Sequence, residues 1–125
     1  MTKFVFIPCD PGEEEAVFPL PEYAWWSAGI FIAEVVAALA ERMAEKHEGL
    51  PAAALEWAGV LPAKGMPSKE EWEKAGAEFT RRLYALRDAA LAHVAAWESG
   101  DFDEQAETAK RLGEILGEML PYLYD

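Results

Sequence analysis

Residues 23–39 read YAWWSAGIFIAEVVAAL, apolar on every side, with one charge, Glu34, near the middle. Wound into a helix, this run leaves no polar stripe for water. It reads as the central rod of a helical core, or as a rod that gives one half to the core and the other to a partner. In the second case it offers a homodimer interface through the Tyr23–Leu39 helix. A membrane span fits poorly. The run is slightly short, follows an acidic flank and would place Glu34 near mid-membrane, which is costly.

The helix that carries this run is predicted over 21–48. Pro21 suits a first turn, and Glu22 complements the positive end of the helix dipole. Beyond Leu39 the sequence turns polar, with Glu41, Arg42, Glu45, Lys46, His47 and Glu48. The last two turns are therefore expected to project into water. Gly49 and Pro51 stop the helix.

Upstream, KFVFIP at 3–8 and Ala16-Val17-Phe18 flank a turn built on Cys9-Asp10-Pro11-Gly12, followed by Glu13, Glu14 and Glu15. Pro before Gly suits a tight turn, so residues 1–20 read as a β-hairpin with an acidic tip. Two strands alone are marginal, and the hairpin is expected to pack on helices.

Downstream, PAAALEWA reads as a short helix over 52–58 closed by Gly59, and VLPAKGMP at 60–67 as a loop. Ser68 with Glu71 forms a capping box that opens a helix over 68–98. Trp72, Ala75, Phe79, Leu83, Leu86, Ala90, Val94 and Trp97 follow a 3–4 spacing and mark its inner face. Ser99-Gly100 breaks it. Asp101 with Glu104, a second box, opens a last helix over 101–123, with Phe102, Ala106, Ala109, Leu112, Leu116, Met119 and Leu123 on one face. The tight break makes the last two helices antiparallel neighbours. The fold class is mainly α: one domain, 1–125, a helical bundle of three long helices and one short helix, with an N-terminal β-hairpin.

Composition narrows the chemistry. The chain has 125 residues, 52% hydrophobic with five Trp, enough for a real core. Its net charge is −12. Residues 1–67 carry 4 basic and 10 acidic groups, and residues 68–125 carry 7 and 13, so each part has a net charge of −6. Such a surface repels nucleic acid and anionic membrane and favours a basic protein partner or simple solubility. The single Cys9 excludes an internal disulfide and fits a reducing, cytoplasmic setting. Two His and one Cys, with no HExxH or CxxC, leave no metal site, and no cofactor motif is present.

Three constellations remain. Glu34 in its apolar run would reach an edge, pair with an Arg of the long helix such as Arg82 or Arg87, or be a tuned acid. His93 lies on the inner face of the long helix beside Ala90 and Val94, where it reads first as a core histidine satisfied by a carbonyl or carboxylate. If it met Glu34, the two would form an acid–base pair in a Trp-lined pocket of a small-molecule-binding or catalytic helical domain. The segment Arg87-Asp88-Ala89-Ala90-Leu91-Ala92-His93 resembles the Arg-polar-x4-His signature of the HEPN ribonuclease family. That resemblance implies an all-helical domain in which Arg87 and His93 act in RNA cleavage at a dimer interface.

The acidic groups suggest another function. Glu13, Glu14 and Glu15 at the hairpin tip, with Asp101, Asp103 and Glu104 at the start of the last helix, form candidate partner-binding surfaces. The leading expectation is a non-enzymatic interaction module of the inhibitor or immunity type, as phages and plasmids encode. It would bind a basic, nucleic-acid-binding surface of a partner protein without binding nucleic acid itself.

Overall fold

A computed structural model describes residues 27–60 and 65–123, together with the backbone of 3–6 and 16–19. The described chain is mainly helical. The helices are α1 (Ala28–Lys46), α2 (Ala53–Trp57), α3 (Lys69–Ser99) and α4 (Phe102–Met119), and a 3-10 turn at Leu120–Tyr122 follows. The chain divides into residues 1–32 and residues 33–125. Of residues 1–26, only Lys3–Phe6 and Ala16–Pro19 are described, as short extended segments paired antiparallel with Phe4 opposite Phe18. The turn that would make them a hairpin, with Glu13, Glu14 and Glu15, lies outside the described residues. The hairpin expected over 1–20 is therefore not supported.

In residues 1–32, the first turn of α1 starts at Ser27, whose carbonyl accepts the Ile30 and Phe31 N–H groups at 3.1 and 3.2 Å. Tyr23–Trp26, the beginning of the expected rod, lie outside the described residues.

Residues 33–125 hold the core, and α3 is its axis. Phe79, Leu83 and Leu86 are essentially sealed from water, with Ala75, Ala89, Ala90, His93 and Ala96 buried along the same helix. Local chemistry sets its ends. The Ser68 Oγ accepts the Glu71 N–H at 3.1 Å, and the Glu71 carboxylate accepts the Ser68 N–H at 3.0 Å, closing the capping box. At the other end Gly100 takes φ +75, a left-handed conformation that glycine adopts without a Cβ penalty.

Over its described residues, 27–39, the Tyr23–Leu39 run is not the all-round buried rod that its composition predicts. The residues that α1 buries are Ala33, Ala37, Ala40 and Ala44, a single stripe at 4-3-4 spacing. Of its larger apolar side chains, Val36 and Met43 pack against the core, while Ile32, Val35 and Leu39 are 55%, 39% and 60% exposed. Alanine at each buried position lets α1 lie close against the large side chains of α3, so the small residues face inward. Glu34 is exposed as well. The alternative, a rod half in the core and half presented outward, describes α1 from Ala33 on.

The end of α1 also departs from expectation. Rather than projecting wholly into water, its last turns bury Ala44, half-bury Met43 and place His47 against α3. The His47 ring meets Phe79 edge-on at 4.9 Å, and its Nε2 lies 2.7 Å from the Thr80 hydroxyl. The Glu41 carboxylate accepts from the Arg87 guanidinium at 3.1 Å. These pairings, 41 with 87 and 47 with 80, run α1 antiparallel to α3.

α2 closes through a glycine turn. The Val60 N–H reaches the Leu55 carbonyl and the Gly59 N–H the Glu56 carbonyl, with Gly59 at φ +70, the paired bonds of a Schellman motif. Trp57 then packs near Phe79 and edge-on to Tyr122, the rings 6.5 and 5.0 Å apart.

α4 runs antiparallel to α3, as the tight break at Ser99-Gly100 requires. Its predicted inner face is only partly buried. Leu112 and Met119 are buried and Leu116 and Leu123 half-buried, while Phe102, Ala106 and Ala109 are exposed. The periodicity carried the helix to 123, but the α-helix ends at Met119 and tightens into the 3-10 turn. Pro121 there has no N–H to continue the ladder.

Candidate functional site

The acidic corner between α3 and α4 is built from local rules. The Asp101 Oδ1 accepts the N–H groups of Asp103 and Glu104 at 3.0 and 3.2 Å, satisfying two of the free donors at the start of α4. The second capping box is only half formed. The Glu104 carboxylate accepts from the Ser99 hydroxyl at 3.2 Å, and the Asp101 N–H turns to Ser99 Oγ at 3.3 Å. The single Ser99 hydroxyl proton lies between the Glu104 carboxylate and the Ala96 carbonyl, the nearer acceptor at 2.7 Å, so the corner is tied to both helices. Asp101, Asp103 and Glu104 are all exposed. From Asp88 to Ala109 the sequence holds six acidic residues, Asp88, Glu98, Asp101, Asp103, Glu104 and Glu107, and no Lys or Arg.

His93 is buried, 8% exposed, and turned toward α4. Its Nδ1 lies 2.9 Å from the Thr108 Oγ1, which donates to the Glu104 or Gln105 carbonyl, 2.9 and 3.1 Å away. With the hydroxyl proton committed to a carbonyl, the Thr108 oxygen receives the His93 Nδ1–H. His93 thus clamps α4 to α3.

Arg87 faces the opposite neighbour. Besides Glu41 it donates to Asp88 at 3.0 Å and lies over the Tyr84 ring at 4.5 Å. Its pKa is raised, chiefly by the Asp88 hydrogen bond, against desolvation and with a lesser contribution from Glu41. Six residues are about 1.7 helical turns, so Arg87 and His93 leave α3 on different sides. One is engaged with α1 and the other with α4. Glu34, exposed on α1, and His93, buried against α4, sit in different surroundings.

The Arg partners expected for Glu34 are engaged elsewhere. Arg82 donates to Glu78 at 3.1 Å and stacks over Trp57 at 4.3 Å. Arg81 forms a two-point pair with the same carboxylate at 2.6 and 2.9 Å. The Arg81 hydrogen bond, helped by Arg82 against some burial, lowers the Glu78 pKa to about 2.

A cleft of about 200 Å³ opens between α3 and α4, lined by Arg81, Arg82, Ala85, Ile115, Glu118 and Met119. It contains neither Glu34, His93 nor a Trp. Among the described Trp residues, Trp57 is packed in its ring cluster, and Trp72 and Trp97 are each 44% exposed. Among the described residues no group of three or more His, Cys, Asp or Glu is placed to hold a metal ion, and no helix is long and apolar enough to cross a membrane.

His47 is what the sequence reading missed. It looked like part of a polar helix end, and its partner Thr80 is 33 residues away. No local pattern announces that contact.

No protein-family model, curated protein or solved structure matches the chain.

Proposed function

We propose that this protein is a small acidic interaction module, of the inhibitor or immunity type, that binds a basic, nucleic-acid-binding surface on a partner protein. The observation that carries the reading is the α3–α4 corner, where five acidic residues, Glu98, Asp101, Asp103, Glu104 and Glu107, fall in ten residues without a Lys or Arg. Three of them, Asp101, Asp103 and Glu104, are exposed on a turn fixed by its own caps. Glu13, Glu14 and Glu15, on a proposed N-terminal hairpin, add to it on sequence grounds alone. An acidic surface of this kind steers a basic partner into encounter.

The test is affinity capture on immobilised protein at low and high salt, with Asp101→Lys, Asp103→Lys and Glu104→Lys combined as the comparison. Exposed charges are screened within about 8 Å at physiological ionic strength, so the captured partner is expected to be lost at high salt and with the triple reversal. Capture indifferent to both refutes the proposal.

A second reading draws on the exposed Val35 and Leu39, which favour a homodimer through α1. The catalytic alternative with Glu34 and His93 is left without an observation in its favour, because one is exposed on α1 and the other is clamped against α4.

A further inference from the structure

We infer that the α3–α4 corner is a docking surface whose apolar anchors are Phe102 and Trp97, and that its occupant is a basic protein surface presenting Arg or Lys beside apolar side chains. This rests on the interaction reading above and names the groups that would give it affinity as well as charge.

Phe102 is the first residue of α4 and is 81% exposed, with Asp101 and Asp103 on either side in sequence. Folding has little use for it there. A hydrophobic staple would need an apolar residue before the cap, and that position is Gly100, opposite the polar Gln105. Trp97, in the last turn of α3, is 44% exposed. Phe102 and Trp97 stand five residues apart on either side of the Ser99-Gly100 turn, in a stretch without Lys or Arg. Buried aromatic anchors with a polar rim are how interfaces concentrate their affinity.

Charge complementarity selects the occupant. A guanidinium can pair with a carboxylate and lie on an aromatic face at once, and this corner offers both. Phosphates would be repelled, which excludes nucleic acid and anionic lipid. A small molecule would favour a concave site, and the cleft described between α3 and α4 is lined instead by Arg81, Arg82, Ala85, Ile115, Glu118 and Met119. The corner is also preorganised. The bonds of Ser99, Asp101 and Glu104 hold it before any partner arrives, which reduces the ordering cost of binding.

The experiment uses two labelled probes in fluorescence anisotropy: a helical peptide with Arg and Leu at 3–4 spacing, and polyarginine of equal charge. The full chain is expected to bind the Arg/Leu peptide about tenfold more tightly than polyarginine, the scale of one good anchor. Phe102→Ser with Trp97→Ser should remove that preference and leave polyarginine binding unchanged. Phe102→Ser alone, at a side chain already facing water, carries the test if the double variant melts early. If affinity for the Arg/Leu peptide falls with the triple charge reversal but ignores the aromatic changes, this inference is overturned and the electrostatic reading stands. If binding ignores both sets of changes, or saturable binding is absent for both probes, both fall.

Discussion

Leu83→Ala and Leu39→Ala remove the same atoms from two helices and are expected to have very different effects. The sequence places Leu39 in the apolar rod, whereas the structure makes α3 the axis of the core. Leu83 is 0% exposed and packed among Phe79, Leu86 and the alanines of α1. Truncating a sealed leucine loses its transfer free energy and leaves a cavity, together about 3–4 kcal/mol. Leu39 is 60% exposed. Complete burial of a leucine contributes roughly 2 kcal/mol, and Leu39 realises less than half of that, so its loss should cost under about 1 kcal/mol. For a chain of this length 1 kcal/mol moves the melting temperature by about 3–5 °C. Leu83→Ala should therefore lower Tm by about 9–20 °C, and Leu39→Ala by less than about 5 °C. Circular dichroism melts at 222 nm on dilute protein, with urea unfolding as a second measure, decide the matter. A Leu39→Ala variant that melts as low as Leu83→Ala, at a concentration where the protein is monomeric, would refute the reasoning and restore the rod to the core.

Other outcomes follow from the same structure. Asp101→Ala leaves the Asp103 and Glu104 N–H groups without their acceptor and is expected to destabilise by about 1 kcal/mol, read by the same melts; no change in Tm would show that Ser99 or water replaces the cap. Glu78 titrates in the folded state at about 2, below its ordinary 4.5, because its charged form is held by Arg81 and Arg82. Its contribution is therefore complete above about pH 4.5 and lost as pH falls toward 2. Glu78→Gln should flatten part of the acid-side fall in stability and leave the neutral-pH pair slightly weaker; an unchanged acid profile refutes this. Thr108→Val removes the acceptor of the His93 Nδ1–H, so it should destabilise the wild-type chain more than a His93→Phe background, and additive effects in that cycle would deny the clamp. Leu39→Lys should leave the monomer folded and, if α1 pairs with a second copy, shift sedimentation from dimer to monomer.

Much of the helical layout was legible in the chain because its signals are local. Ser68 and Glu71 satisfy one another within a single turn, Asp101 caps donors two and three residues on, and Gly59 and Gly100 sit where a left-handed residue ends a helix. The 3–4 spacing of Ala75, Phe79, Leu83, Leu86 and Ala90 likewise marked a buried face that the structure contains, although Trp72 and Trp97, counted on the same face, are each 44% exposed. The candidate site was half legible. The acids at 101–104 are exposed as expected, but the exposure of Phe102 is invisible to a periodicity that counts it among the inner residues. Only the tertiary structure decided which apolar helix is the axis. Composition records how apolar Tyr23–Leu39 is, not which side meets a neighbour, and the neighbour chose the alanines. Arg87 with Glu41 and His47 with Thr80 are joined across 46 and 33 residues of chain. Such contacts depend on how α1 is laid against α3, and packing of that kind leaves no trace in a local window of sequence.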